Sequence, residues 1–263
     1  MFETLEIEHK GGVATLWMNR PDLHNAFNAQ VINELTAAFR HLDADPAVRL
    51  MVLAGRGKSF SAGADIAGMR AAGQASEAEN FAAAMDLAVM FRTLAEMSKP
   101  TIARVHGPAM GGGVGLAAAC DICIASDRAV FATSEVRLGI IPSAISPYVI
   151  RAIGERQAYR YFQTAERIDS IRAAQLGLAH EAVSSEELDA KVAEMVNVLL
   201  QGGPVSQAAA KELIRAVVHQ PVTDAIVADT ARRIAVLRAT PEAKEGLSAF
   251  LEKRPTAWAP AQP

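Results

Sequence analysis

Thr101-Ile-Ala-Arg-Val-His-Gly-Pro-Ala-Met-Gly-Gly-Gly-Val-Gly-Leu-Ala-Ala-Ala-Cys120 reads as an apolar strand, a glycine-bearing loop and an alanine-rich helix. Lys99-Pro100 stops the preceding helix, because a residue before proline is driven out of the α region. The strand spans Thr101–Val105, and Gly111-Gly112-Gly113 opens the helix that runs to Cys120. A helix starting at Gly112 or Gly113 points unsatisfied N–H groups, and its positive dipole end, at whatever lies before it.

Working outward, strands alternate with helices. Phe2–Glu8 and Val13–Met18 read as short strands around a Gly11-Gly12 turn. Asn28 caps an amphipathic helix through about Asp43, with Val31, Leu35, Phe39 and Leu42 on one stripe. Leu50–Ala54 is a continuous apolar run, as a buried parallel strand requires. A loop from Gly55 to Gly68 precedes a helix over Glu77–Met97. Ile122–Ala125 and Ala129–Ala132 are further strands. From Ile145 the pattern turns helical, with final segments near 185–201, 205–219, 222–239 and 241–253. The Pro/Ala-rich tail Pro255–Pro263 is expected to lie loosely on the surface. The order predicts an α/β core over 1–200 and a helical C-terminal region over 201–263.

The chain has 263 residues, half of them hydrophobic, and carries a net charge of −3. That balance gives no electrostatic footprint for nucleic acid. No apolar run approaches the roughly 18 residues of a membrane span, and Met1–Lys10 lacks the pattern of a signal peptide. Cys120 and Cys123 stand in an apolar run whose one charged neighbour, Asp121, is acidic and disfavours a thiolate, so they read as buried free thiols in a reducing, cytoplasmic setting. The six histidines show no spacing that would hold a metal.

A second loop, Phe60-Ser61-Ala62-Gly63-Ala64-Asp65-Ile66, also follows an apolar strand. Paired amides from two such loops make an oxyanion hole; glycines that only permit tight turns are the alternative. Gly111 to Gly115 resembles a relaxed dinucleotide fingerprint, but five residues separate it from its strand and no acidic residue closes a second strand. Ser61 lacks the nucleophile-elbow frame. His106 reads as a structural histidine. Glu135 is the best acid–base candidate, since it precedes the apolar, turn-rich run Leu138–Pro142, where desolvation would raise its pKa. The competing reading pairs it with Arg137 at the surface.

Asn19-Arg20-Pro21 with Asn25-Ala26, Phe60–Ile66, Lys99-Pro100, Gly111–Gly113, Cys120-Asp121 and Glu135–Pro142 occur in the order seen in the enoyl-CoA hydratase/isomerase (crotonase) family. The resemblance continues through Gly154, Ala174, Gly177-Leu178 and Phe250–Arg254. It implies a core of repeated ββα turns in two stacked sheets, with a C-terminal helical region that builds trimers or hexamers. It also implies a thioester oxygen held by the Ala64 and Gly112 amides. Coenzyme A, as part of the substrate and with no separate cofactor, would pass His24, Asn25, Ala26, Ala62, Asp65 and Ile66, with Phe250 and Lys253 reaching a neighbouring subunit's CoA.

Typical hydratases of this family carry a second glutamate where this chain has Gly115, and family isomerases commonly keep only the acid matching Glu135. Ser143-Ala144-Ile145-Ser146 replaces a Gly-Ala-Gly-Gly turn. The run Glu135–Gly154 is similar to bacterial hydratases of branched, carboxylated glutaconyl-type CoA esters. On that likeness Ser143 helps hold the attacking water, Arg137 meets a distal carboxylate, and the space at Gly115 admits a branched acyl group.

Overall fold

The computed structural model describes residues 2–260. Residues up to Ala193, apart from Ser98–Pro100, form one compact unit; those three residues and Glu194 onward form a second.

The first unit is an α/β core with two sheets. The larger contains β1 (Leu5–Lys10), β2 (Val13–Met18), β3 (Leu50–Gly55), β4 (Thr101–Val105), β6 (Ile122–Ser126) and β9 (Glu181–Val183), in that spatial order. Only β1 and β2 are antiparallel; every later pairing is parallel. All six residues of β3 are buried, as a strand covered on both faces requires. The smaller sheet joins β5 (Ala109–Met110), β7 (Val130–Ala132) and β8 (Ile168–Asp169).

The crossover β2–β3 contains α1 (Ala29–Ala44), capped by the Asn28 side chain on the Val31 amide. Its predicted stripe of Val31, Leu35, Phe39 and Leu42 is buried and packs against α3 (Glu77–Glu96). Each such side chain contributes about 1.5–3 kcal/mol by leaving water. Between β3 and α3 lies α2 (Ile66–Ala72), which begins inside the stretch read from sequence as a loop, Gly55 to Gly68. Asp65 caps it through the Gly68 amide. α4 (Gly112–Ala119) follows β5, and α5 (Ser146–Ile153), α6 (Glu155–Thr164) and α7 (Ser170–Leu176) follow β7.

β3 and β4 are parallel neighbours, so the loops that leave their carboxyl ends emerge at the same edge of the sheet. Crevices outside strand carboxyl ends are where open α/β sheets hold ligands.

Helix α8 (Leu188–Leu200) spans the division at Ala193. The second unit continues with α9 (Pro204–Val217), α10 (Asp224–Arg238) and α11 (Pro241–Glu252). Its tail is not loose up to Pro260. Arg254 grips the Glu245 carboxylate, the Ala257 amide donates to the same group, and the Trp258 indole donates to Gln201 O at 3.0 Å. An indole needs a polar acceptor beside its apolar body, and the end of α8 offers one. Residues 261–263 lie outside the described residues.

Both cysteines are buried and neither is in a disulfide, and burial pushes the Cys123 thiol up to about 12. No helix among the described residues is long and apolar enough to cross a membrane.

Candidate active site

The loop after β4 reaches α4 through two close backbone approaches. A Cβ on Gly107 would lie 2.4 Å from Lys58 O. Gly111 adopts φ 49°, ψ −116°, a conformation that only glycine enters readily. Its amide donates to Ala132 O at 2.9 Å, which ties the loop to β7. Gly112 is the first residue of α4, and its N–H has no acceptor among the described residues.

The loop after β3 is fastened to the first. Ser61 N donates to Pro108 O at 3.2 Å and Met110 N to Ser61 O at 2.9 Å. Gly63, at φ 80°, comes so near that a Cβ there would sit 2.7 Å from Met110 O and 3.3 Å from Gly112 N. The next residue is Ala64. Phe27 N donates to Gly63 O at 2.6 Å and Asp65 N donates to Phe27 O at 2.9 Å. The amide between those two clamped residues, Ala64 N–H, has no acceptor among the described residues, and Ala64 itself is exposed. Two unsatisfied donors from separate loops therefore stand side by side.

Glu135 opens a 3-10 turn, Glu135–Leu138, which Gly139 closes in the left-handed region. Thr133, two residues earlier, anchors the approach by donating its hydroxyl to Tyr161 O at 3.0 Å. The carboxyl lies against the glycine loop, with Oε1 3.2 Å from where a Gly111 Cβ would be. Oε2 is buried with no hydrogen-bond partner. Burial raises its pKa, only partly offset by a backbone amide. A buried carboxyl thus stands beside the glycine loop that carries an unsatisfied amide, an arrangement that can serve enolate chemistry.

The family profile described as enoyl-CoA hydratase/isomerase matches residues 8–261. The chain belongs to the enoyl-CoA hydratase/isomerase family. A crotonyl-CoA hydratase from Syntrophomonas wolfei is 37% identical over 259 residues, covering 96% of each chain. Among solved structures, an enoyl-CoA hydratase from Shewanella pealeana aligns with a TM-score of 0.95 and 39% identity, over 98% of this chain and 97% of its own. An enoyl-CoA hydratase/isomerase from Marinobacter aquaeolei gives a TM-score of 0.93 and 34% identity, over 98% and 100%.

Some residues assigned to the substrate by family resemblance have structural duties. The Asn25 side chain is fully buried; it accepts from Arg20 N and donates to the carbonyls of Arg56, Ser59 and Phe60. Ala26 is buried, and its carbonyl accepts from Arg20 Nη1 at 2.6 Å. The Asp65 carboxylate caps α2 and pairs with Arg20 at 3.3 Å. The Asn25 and Asp65 side chains hold these loops together, because buried polar groups must be satisfied internally. His24 is exposed, in the left-handed region, with Nδ1 3.0 Å from Ser59 Oγ; its carbonyl accepts the Ala62 amide at 2.9 Å. Ile66 is 78% exposed.

The space expected at Gly115 is filled: a Cβ there would meet Ile145 Cγ2 at 2.2 Å and Phe91 Cε1 at 2.8 Å. The Ser143 amide is engaged with Ile141 O at 2.8 Å, so only its hydroxyl remains for water. Glu135 makes no ion pair with Arg137 among the described residues, and Arg137 is exposed. Phe250, 80% exposed, and Lys253, the left-handed C-cap of α11, belong to the second unit. His106 Nε2 donates to Gly57 O, 3.0 Å away.

Phe27 is a residue of the candidate site that sequence reading missed. Its main chain clamps both sides of Ala64, and its ring lies where a Gly112 Cβ would be, 2.6 Å from Cε2. One residue therefore spaces both amide donors. Its only sequence signal is an apolar residue just before the Asn28 cap, where hydrophobic staples stand.

Proposed function

We propose that this chain is an enoyl-CoA hydratase that adds water reversibly across a 2-enoyl-CoA thioester, with Glu135 as the single acid–base group. The observation that carries the reading is the unpartnered, buried Glu135 Oε2 beside the unsatisfied Gly112 and Ala64 amides. The thioester oxygen would lie between those amides. Each donor would stabilise the enolate oxygen by roughly 3–4 kcal/mol, by analogy with other oxyanion holes. Glu135 takes a proton from water as its oxygen bonds to the β-carbon, and then returns a proton to the α-carbon. Atoms balance: one water enters and the carboxylate is regenerated.

The proposed substrate class is a branched or carboxylated acyl chain of the methylglutaconyl type. Its support is the likeness of Glu135–Gly154 to such hydratases, together with an exposed Arg137 two residues beyond the acid. Room at Gly115 no longer supports it. Coenzyme A enters as part of the substrate. The chain is further proposed to work as a trimer or hexamer built through its C-terminal helices, a reading supported by the family resemblance and by exposed Phe250 and Leu251 on α11.

The test follows loss of enoyl-thioester absorbance with 3-methylglutaconyl-CoA and crotonyl-CoA in ¹⁸O-water. Hydration of either ester, with ¹⁸O in the product and activity lost in Glu135→Ala, supports the reading. A shifted double bond without ¹⁸O points instead to 3-enoyl-CoA isomerisation. The lack of a carboxylate at Gly115 favours that second reading, since a carbon-to-carbon proton transfer needs only one carboxylate.

A further inference from the structure

Gly111 and Gly115 are four residues apart at the start of α4 and are joined by the Gly115 N to Gly111 O hydrogen bond of 3.3 Å. That bond sets Gly115 one helical turn beyond Gly111, the non-helical N-cap at φ 49° and ψ −116°. The Gly111 Cβ position lies 3.2 Å from Glu135 Oε1. The space at Gly115 is occupied. A Cβ on Gly115 would stand 2.2 Å from Ile145 Cγ2, 2.9 Å from Ile145 Cβ and 2.8 Å from Phe91 Cε1. Ile145 is 2% exposed and Phe91 fully buried. Phe91 is braced in turn by Tyr148, with ring centroids 5.9 Å apart, so the obstruction belongs to a packed knot of α3, α4 and the start of α5.

We propose that Ile145 is the residue that makes this a one-acid site. It fills the volume beyond Gly115, excludes any second polar side chain from the helix face next to Glu135, and couples positions 115 and 145 in size. The inference deepens the reading of Glu135 as sole acid–base group and rests on it for its catalytic meaning. The size coupling itself stands on geometry alone. Trimming Ile145 to alanine would not suffice, because its Cβ already sits inside contact distance of a residue-115 Cβ; glycine is required.

Melting temperatures of wild type, Gly115→Ala, Ile145→Gly and the double variant test the coupling. In the wild-type background the added methyl strikes Ile145, so Gly115→Ala lowers the melting temperature. In the Ile145→Gly background only the Phe91 edge, at 2.8 Å, still meets the methyl, so the same substitution lowers it by less. A change of the same sign and size in both backgrounds overturns the proposal. The catalytic arm compares Gly115→Glu/Ile145→Gly with Ile145→Gly. Two neighbouring carboxylates cannot both ionise freely, so the acidic limb of kcat/KM should move to higher pH in the double variant. An unmoved limb overturns the placement of residue 115 beside Glu135. If no variant hydrates any ester, including wild type, the hydratase reading fails while the melting comparison still decides the role of Ile145.

Discussion

Glu135 is set apart by its surroundings: an oxygen without a partner, and burial that raises its pKa. Replacing it with glutamine keeps the shape but removes proton transfer. Hydration by Glu135→Gln should fall by about 10²–10⁴-fold, read from initial rates, with the far-ultraviolet spectrum unchanged. The base works ionised, so the wild-type acidic limb should lie above the ordinary carboxylate range. The same burial has a stability consequence whose sign is fixed. Below the ordinary glutamate pKa the group is neutral in both folded and unfolded states, and folding has no charge to desolvate. As pH rises through the elevated folded-state value, the folded protein must bury an unpaired charge and loses stability. Glu135→Gln should therefore match wild type in denaturant midpoint at acid pH and exceed it at pH 8. Phe27 acts by position: Phe27→Leu keeps the main-chain clamp on Ala64 but removes the ring beneath Gly112. Its kcat should drop on the order of 10-fold with little change in KM, less than the 10²-fold cost of a full 1 Å misplacement. Equal changes in kcat and KM, or none, would remove Phe27 from that role.

At the scale of elements, the site is a product of two loops leaving parallel neighbours β3 and β4. Asn25 holds the first loop with one accepted and three donated hydrogen bonds from a buried amide. Asn25→Ala leaves those backbone groups without partners and should cost about 2–4 kcal/mol in urea unfolding. The glycine-led helix and Glu135 were legible in the sequence, because glycine spacing and an acid before an apolar turn are local signals. The long elements were legible too: α1 came with its cap and its buried stripe. The misses have a common cause. β5, β8 and β9 have two, two and three residues, too few for a two-residue period to register. α2 is solvent-exposed throughout, so it carries no apolar stripe, and its cap at Asp65 lay inside a stretch read for its glycines.

For the whole molecule, the second unit is the place where assembly would show. Substituting the exposed Phe250 and Leu251 by aspartate should shift sedimentation from the mass of three or six chains toward that of one, while the far-ultraviolet spectrum persists. A wild-type protein that sediments as a single chain would remove the trimer and hexamer together. The tail illustrates why composition misled at this scale. A Pro/Ala-rich segment has little apolar surface of its own, yet Trp258 docks on Gln201 and Arg254 locks onto Glu245.

The order of motifs by itself pointed to the family and to the α/β core followed by helices, and it singled out the candidate acid and the two candidate amide donors. Those rest on local chemistry: glycine where amides must be bare, a cap before a helix, a carboxylate before an apolar turn. Tertiary structure alone decided which side chains those motifs leave free. Asn25 and Asp65 turned inward because some of their partners lie far off in sequence, Ser59 and Phe60 for the one and Arg20 for the other. The vacancy at Gly115 was taken up by Ile145, thirty residues on, because close-packed interiors leave no methyl-sized hole unfilled.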